Sequence, residues 1–231
     1  MDFAALLDIL LPPTMLGGDA AVALTDWRPD TPGTYCPRCG ATVASAAITE
    51  SGCPHCRNAR IAWHGLWRLG PYKPPLSQWV IDYKFRTSWS WGKWIGRELA
   101  ARAPDHDKAV VVPIPLHWRR RLSRGYDQSR FIAEAFAKAK GLPVARILRR
   151  VRHTHQQSHL PASARLANVR KAFRIAPVDL TGWTVWLIDD VKTTGATARQ
   201  CTRLLQKAGA LRVNLAVAAV ADPKGADFQR N

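Results

Sequence analysis

Apolar residues after position 76 alternate between helical and strand-like spacing. They recur at helical intervals in five segments, at 76–83, 91–102, 125–140, 162–171 and 195–208. Short apolar runs of the kind that form buried strands occupy 109–112, 144–148, 183–188 and 212–220. Because strands separated by helices form parallel sheets with both faces covered, this pattern predicts an α/β fold.

The first 60 residues follow a different pattern. The run from 1 to 13 predicts a short amphipathic helix that ends near Pro12 and Pro13. Residues 12–52 are rich in Pro, Gly, Thr, Ala and Asp and show little periodicity, which argues against a large core there. We therefore expect a small N-terminal appendage at 1–60 and the α/β domain at 61–231.

The 231-residue chain has the composition of a folded protein and a strongly basic charge balance. It is 47% hydrophobic, and its 34 Lys and Arg against 17 Asp and Glu give a formal net charge of +17. Such a balance predicts polyanionic partners, which include nucleic acid, phosphorylated small molecules and anionic membrane surfaces. No apolar stretch approaches transmembrane length, and Asp2 and Asp8 do not fit a signal peptide. We therefore expect a cytoplasmic protein without membrane insertion.

Four of the five cysteines form two Cys-x-x-Cys pairs, Cys36/Cys39 and Cys53/Cys56, which are separated by 13 residues. The two-residue gap lets both thiolates of a pair face one metal ion, and the second pair can complete a tetrahedron. Four sulfur ligands favour a closed, structural Zn²⁺ site. The alternatives are reduced cysteines without metal, or disulfides, which a cytosolic setting disfavours. Cys201 stands alone at the spacing of an apolar helix face, which predicts a core thiol.

An apolar strand also runs into two adjacent carboxylates, Asp189 and Asp190, and then into a segment rich in Thr and Gly that opens a helix. The residues of that segment are Lys192, Thr193, Thr194, Gly195, Ala196 and Thr197. Backbone amides at a helix N-terminus attract anions, so a phosphate is the natural ligand of this loop. Adjacent carboxylates at the end of a strand suit Mg²⁺ or ribose hydroxyls. The alternative is an ordinary capped helix after a strand, with both carboxylates solvated.

The run Asp-Asp-x-x-Thr-Thr-Gly-Ala-Thr resembles the phosphoribosyl diphosphate (PRPP) loop of type I phosphoribosyltransferases. The surrounding chain resembles the ComF, or ComFC, competence family within that superfamily. Further matching segments are Leu7-Asp8-Ile9-Leu10-Leu11-Pro12-Pro13, the Cys-Pro-x-Cys-Gly knuckle at 36–40, Asp82-Tyr83-Lys84, Val112-Pro-Ile-Pro-Leu-His117, Arg124-Gly-Tyr-Asp-Gln128 and Thr154-x-x-Gln157-x-x-Leu160-x4-Arg165-x-x-Asn168. Many family members carry an additional Cys-x-x-Cys pair where this chain has Thr14-Met-Leu-Gly, so we expect one zinc site.

The resemblance implies a type I phosphoribosyltransferase-like parallel sheet flanked by helices, with a small zinc-binding appendage at the N-terminus. It also implies that residues 193–197 hold the 5′-phosphate of PRPP. Asp189 and Asp190 would face the ribose hydroxyls and stabilise positive charge that develops on the sugar. Lys84 would neutralise the departing diphosphate together with Mg²⁺. A surface lysine at the end of a helix is the alternative for Lys84.

The segment 117–174 holds 15 Lys and Arg against only Asp127 and Glu134. Four of the arginines follow a predicted strand on a predicted loop, namely Arg119, Arg120, Arg121 and Arg124. Such a loop can close over a diphosphate and exclude water, or it can contact a nucleic-acid backbone. A solvated basic face is the third interpretation. Bases can stack on exposed tryptophans, but we expect most of the tryptophans at 63–94 to pack in the core.

Two classes of function follow from these patterns. As an enzyme, the protein would bind Mg²⁺ and PRPP and transfer the phosphoribosyl group to an acceptor. As a non-catalytic module, it would keep the loop as a sensor or scaffold and bind single-stranded DNA during natural transformation. In either class the resemblance implies a setting in competence and DNA uptake. The candidate partners are PRPP or another sugar phosphate, single-stranded DNA and the competence helicase machinery.

Overall fold

The structure is a computed structural model that describes residues 18–85, 89–116, 127–151 and 172–222. Its strands are β1 (Gly65–Pro71), β2 (Ala109–Pro113), β3 (Leu148–Arg150), β4 (Phe173–Ile175), β5 (Thr184–Lys192) and β6 (Arg212–Val220). Its α-helices are α1 (Gly18–Ala23), α2 (Leu76–Phe85), α3 (Trp89–Arg102), α4 (Gln128–Lys140) and α5 (Ala196–Lys207), with a 3₁₀ turn at Ser45–Ala47.

The centre of the fold is a four-stranded, all-parallel sheet with the order β1-β6-β5-β2. Its strands are almost entirely buried, as expected for a parallel sheet with both faces covered. The predicted strand at 212–220 is confirmed, and the predicted strand at 183–188 is longer than expected. It pairs with β6 past both carboxylates, up to the pair Lys192 and Val220.

Alternate residues of the sheet face two different layers, as the pleat of a strand requires. Trp186 and Ile188 face the layer of α2, α3 and α4, whereas Val185 and Leu187 face α5 and the small antiparallel pair β3–β4. Cys201 of α5 is fully buried in the second layer, which confirms the predicted core thiol.

Most tryptophans pack in the core, as predicted. Trp79, Trp91 and Trp94 are buried and lie in mutual contact, with ring centroids between 5.1 and 6.1 Å apart. Their faces are covered, so these rings cannot stack on bases. Trp63 is also buried, on the other side of the sheet.

Three expectations about elements are revised or lie outside the described residues. The predicted strand at 144–148 is wrong as a continuous strand, because Val144 makes one isolated bridge to Val111 and regular pairing starts only at Leu148. The predicted helices at the N-terminus and at 162–171 lie outside the described residues. Among the described helices, none has the combined length and apolar character needed to cross a membrane. The division at residue 60 stays a prediction.

Candidate functional site

The two carboxylates lie near the carboxyl end of β5, between the sheet and α4. Asp127 caps α4, because its side chain accepts a hydrogen bond from the backbone N–H of Arg130 at 3.4 Å. The first turn of α4 then brings the Ser129 hydroxyl to Asp189, where Oγ donates to Oδ1 at 2.9 Å. The helix start therefore positions a donor that holds one member of the acid pair.

The pKa of Asp189 is raised to about 8. Burial is the main cause, because it disfavours the charged form, and the neighbouring Asp190 carboxylate adds to the effect. The hydrogen bonds from Ser129 and from the backbone N–H of Asp190 act in the opposite direction. Asp189 therefore holds its proton to a higher pH than an ordinary aspartate.

Lys84 joins the acid pair from the end of α2. Its Nζ lies 3.0 Å from Asp190 Oδ2, and only 18% of the lysine side chain and 14% of the aspartate side chain are exposed. The adjacent Tyr83 hydroxyl donates to the backbone carbonyl of Gln128 at 2.7 Å, which ties the end of α2 to the start of α4. The lysine is therefore part of the cluster, and its sequence-based description as a surface lysine does not fit this geometry.

The segment after β5 forms an open cleft with the start of α5. The cleft is lined by Asp189, Val191, Lys192, Thr193, Thr194, Gly195, Ala196, Thr197, Ala198, Leu215 and Val217. Thr193 and Thr194 are exposed at the rim, and the Thr194 hydroxyl accepts a hydrogen bond from the backbone N–H of Ala196 at 3.4 Å. The first backbone amides of a helix have no acceptor within the helix, and the helix dipole adds partial positive charge there. A phosphate group fits the chemistry of this cleft.

Gly195 is required at the turn into α5. Its φ of 75° lies in the left-handed region, where residues with a Cβ are strained. A Cβ at this position would also lie 2.9 Å from Trp63 Cη2, closer than a normal contact. The backbone therefore makes its turn against the Trp63 ring, with no space for a side chain.

The Lys192 side chain lies on the buried side of the loop. Only 4% of the residue is exposed, and its Nζ lies 3.4 Å from the carbonyl oxygen of Thr193. Burial lowers the pKa of the Lys192 ammonium.

The four paired cysteines come together in one buried cluster, whose ligand atoms all lie within 4.8 Å of one another. Cys36 and Cys56 Sγ are 3.6 Å apart, as are Cys39 and Cys53 Sγ, and Cys53 and Cys56 Sγ are 3.8 Å apart. A tetrahedron of zinc–sulfur bonds of about 2.3 Å has sulfur–sulfur edges of about 3.8 Å. The spacing thus suits a metal ion, and it exceeds the roughly 2.05 Å of a disulfide.

The structure brings together the acid pair, Lys84 and the residues 192–197 at one end of the sheet. Arg119, Arg120, Arg121 and Arg124 lie outside the described residues. Two neighbours of the site, Ser129 and Trp63, were not predicted from the sequence. For Ser129 a signal was present, because it follows the Asp127 cap and lies in the first turn of a predicted helix.

The chain is similar in sequence to two bacterial proteins, although no family model matches it. It is 30% identical over 189 residues to competence protein F of Haemophilus influenzae, covering 76% of this chain and 80% of that protein. It is also 30% identical over 194 residues to DNA utilization protein YhgH of Salmonella typhimurium, covering 79% of this chain and 82% of that protein.

One similar solved structure is the glutamine phosphoribosylpyrophosphate amidotransferase from B. subtilis complexed with ADP and GMP. It is 22% identical, covers 61% of this chain and 29% of that chain, and has a TM-score of 0.39. The parallel sheet with helices packed on both faces confirms the predicted α/β fold class. With this architecture, and with four fifths of the Haemophilus protein matched at 30% identity, the chain belongs to the competence protein F family.

Proposed function

We propose that the protein binds PRPP with Mg²⁺ in the cleft after β5 and acts in natural competence, the uptake and use of DNA. One observation carries the proposal: the acid pair, a lysine and an anion-binding loop meet at the carboxyl end of a central parallel strand. In open parallel sheets, ligands bind at this edge. The names of the two relatives support the setting in DNA utilisation, and a cytoplasmic location remains part of the proposal.

Each group of site residues would contact a different part of PRPP. Backbone amides and hydroxyls of residues 193–197 hold the 5′-phosphate, and Asp189 and Asp190 accept hydrogen bonds from the ribose hydroxyls. Lys84 would leave its ion pair with Asp190 and pair with the diphosphate instead. Mg²⁺ bound together with PRPP would neutralise the remaining charge of the diphosphate. In a transfer reaction the C1–O bond breaks, both of its electrons leave with diphosphate, and a lone pair of the acceptor forms the new bond to C1. The carboxylates stabilise the positive charge that develops on the sugar.

Binding is tested by calorimetric titration of PRPP with Mg²⁺ into the wild type and into Asp189→Asn/Asp190→Asn. We expect heat of binding for the wild type and a loss of affinity of at least tenfold for the double variant, since about 1.4 kcal/mol changes affinity tenfold. Asp107→Asn is the control, because Asp107 is exposed and precedes β2 at the opposite edge of the sheet. Equal binding by wild type and double variant would contradict the proposed site.

Turnover separates the enzyme from the sensor or scaffold. We would follow diphosphate release over a panel of bases, amines and oligonucleotides, with the double variant as the blank. Release that depends on one acceptor supports a transferase. PRPP binding without release for any acceptor supports a binding module that uses the same cleft.

We propose further that the four-cysteine cluster holds a structural zinc ion. The sulfur spacing and the all-thiolate donor set support zinc. Metal analysis of the purified protein should give one zinc per chain. A Cys39→Ser/Cys53→Ser variant should lose that zinc, and zinc retained by this variant would contradict the assignment.

Binding of single-stranded DNA is the second candidate function, and one pair of described residues favours it. Arg149 and Arg174 are directly opposite each other in the β3–β4 pair, and both are exposed. Like charges placed opposite each other in a sheet repel, so a polyanion that lies across them would be favoured. The arginines at 119–124 add to this charge along the sequence.

This second candidate is tested with a fluorescent oligothymidylate at several salt concentrations. We expect Arg149→Ala/Arg174→Ala to weaken binding and to reduce the slope of log K against log salt by about 0.7 for each phosphate that the variant no longer neutralises. Lys93→Ala/Arg97→Ala removes the same charge from exposed positions of α3, on the other face of the sheet, and should have a smaller effect. Equal weakening in the two double variants would show that binding does not use the β3–β4 pair.

A further inference from the structure

We propose that Trp63 is a positioning residue that couples the four-cysteine cluster to the phosphate loop, so that metal binding and phosphate binding strengthen each other. The inference rests on the proposed PRPP and zinc sites and goes beyond them. It gives the metal a role in shaping the phosphate loop, in addition to stabilising the fold of the N-terminal region.

One end of the Trp63 side chain is attached to the first cysteine knuckle. The indole Nε1–H donates to the backbone carbonyl of Arg38 at 2.7 Å, and Arg38 lies between Cys36 and Cys39 in the chain. The knuckle is also anchored beside Trp63, because the backbone N–H of Leu66 in β1 donates to the Pro37 carbonyl at 2.8 Å. The knuckle therefore fixes the Nε1 edge of the indole, in addition to the packing that buries the ring.

The other end of the indole supports the phosphate loop. A Cβ at Gly195 would lie 2.9 Å from Trp63 Cη2 and 3.6 Å from Cζ3, so the six-membered ring packs directly on the Gly195 backbone. Gly195 precedes the first residue of α5, where the amides that would hold a phosphate begin. Trp63 is only 5% exposed, which leaves the ring little freedom to move away. A displaced knuckle would thus remove the surface on which the loop makes its turn.

A second side chain packs on the same turn. The same Cβ at Gly195 would lie 3.4 Å from Lys192 Cε, so the buried lysine and the indole flank one residue of the loop. The turn therefore rests on two buried side chains, one of which is hydrogen-bonded to the cysteine knuckle.

Coupling between two binding sites is reciprocal. If the metal holds the loop in its binding conformation, PRPP bound in the cleft must in turn raise the affinity for the metal. The first measurement is the zinc affinity of the full-length protein, from equilibrium competition with a chelator of known affinity, with and without PRPP and Mg²⁺. We expect PRPP to raise the zinc affinity about fivefold or more in the wild type, at the lower end of usual coupling factors.

Trp63→Phe shortens the ring and removes the indole N–H, and should bring the ratio of the two zinc affinities, with and without PRPP, close to one. Trp183→Phe is the matched control, because Trp183 is half-buried in the same layer but precedes β5 at the opposite edge of the sheet. It should keep the wild-type ratio. A wild-type ratio in Trp63→Phe, or no effect of PRPP on the zinc affinity of a wild type that binds it, would overturn the proposal.

Hydrogen exchange provides a readout that needs no PRPP. Removal of zinc from the wild type should accelerate exchange of the amides at 193–198, while the central amides of β6 stay protected and show that the sheet remains folded. Unchanged exchange at 193–198 would overturn the coupling even if PRPP does bind. If zinc-loaded wild type fails to bind PRPP while zinc removal does loosen the loop, the proposed function fails and the coupling stands.

Discussion

At the residue scale, Asp189 lies between a buried strand and an open cleft. Its carboxyl accepts hydrogen bonds from Ser129 and from the backbone N–H of Asp190, yet burial and the adjacent carboxylate still raise its pKa to about 8. An ionised Asp189 therefore costs folding free energy near neutral pH. A ligand with hydroxyl donors would supply further hydrogen bonds to the charged form and so reduce this cost.

This environment predicts a pH-dependent effect of Asp189→Asn on stability. A carboxyl with a folded pKa above its unfolded value stabilises the fold fully below the unfolded pKa, and that stability is lost as pH rises from about 4 to about 8. The asparagine does not titrate. We therefore expect the variant to be more stable than the wild type at pH 8.5, by at least about 1.4 kcal/mol, the equivalent of one pKa unit.

The measurement is urea unfolding of both proteins between pH 4 and pH 9. The difference in unfolding free energy should shrink towards pH 4, where the wild-type carboxyl is protonated in the folded state. Asp107→Asn, at an exposed position, serves as the control for a change of net charge. A constant difference across the pH range would show that Asp189 does not titrate as described.

At the scale of elements, the site is assembled from the ends of four of them. The carboxyl end of β5 supplies the acid pair, the last turn of α2 supplies Lys84, and the first turn of α4 supplies Ser129. The start of α5 then follows β5 through a turn that only Gly195 makes without strain. Strand and helix ends are suited to this because their terminal backbone groups and side chains are not used by regular pairing.

Gly195→Ala should impair both stability and the cleft. A non-glycine residue at positive φ costs about 1–3 kcal/mol, and here the added methyl group also meets Trp63. Gly141→Ala is a matched control, because Gly141 has a φ of 65° and no atom within 4 Å of an added Cβ. Both variants should lose stability in thermal unfolding, but only Gly195→Ala should weaken PRPP binding in calorimetry. Equal PRPP affinity in the two variants would contradict a binding role for this turn.

At the scale of the whole molecule, one buried arginine joins segments that are distant in sequence. The Arg68 side chain is completely buried in β1 and donates to the Asp30 carboxylate at 2.6 Å and to the Thr42 hydroxyl at 2.9 Å. Asp222, beyond the end of β6, lies 3.8 Å from the same guanidinium. The N-terminal segment, the cysteine region and the end of the sheet are therefore held around a single charge.

Arg68→Met should destabilise the protein by about 3 kcal/mol, because removing one partner of a buried ion pair leaves the other uncompensated. Arg28→Met is the control, since Arg28 is exposed and donates only to the nearby carbonyls of Thr25 and Trp27. Urea unfolding at neutral pH measures both changes. Similar small decreases in stability for the two variants would show that Arg68 is not central to the assembly.

The extent to which the sequence predicted the fold is seen at β5. Its apolar run predicted a strand that stops before Asp189, since polar residues there do not fit the alternation of a buried strand. In the structure the pairing continues to Lys192, because backbone hydrogen bonds to β6 do not depend on the polarity of the side chains. The strand prediction at 144–148 failed for a different reason: Val144 bridges to Val111 of β2, whereas Leu148 pairs with Ile175 of β4, so the segment passes from one sheet to the other.

Short-range patterns in the sequence were sufficient for the features that lie within a few residues of one another. These are the two cysteine pairs, the carboxylates at the end of a strand and the glycine turn into a helix, because local chain geometry places such residues together. Only the tertiary structure decided which distant residues contact these features. Lys84 forms an ion pair with Asp190, and Ser129 donates a hydrogen bond to Asp189. Trp63 lies between the cysteine knuckle and Gly195. Those contacts depend on how helices and strands pack, which no local periodicity encodes.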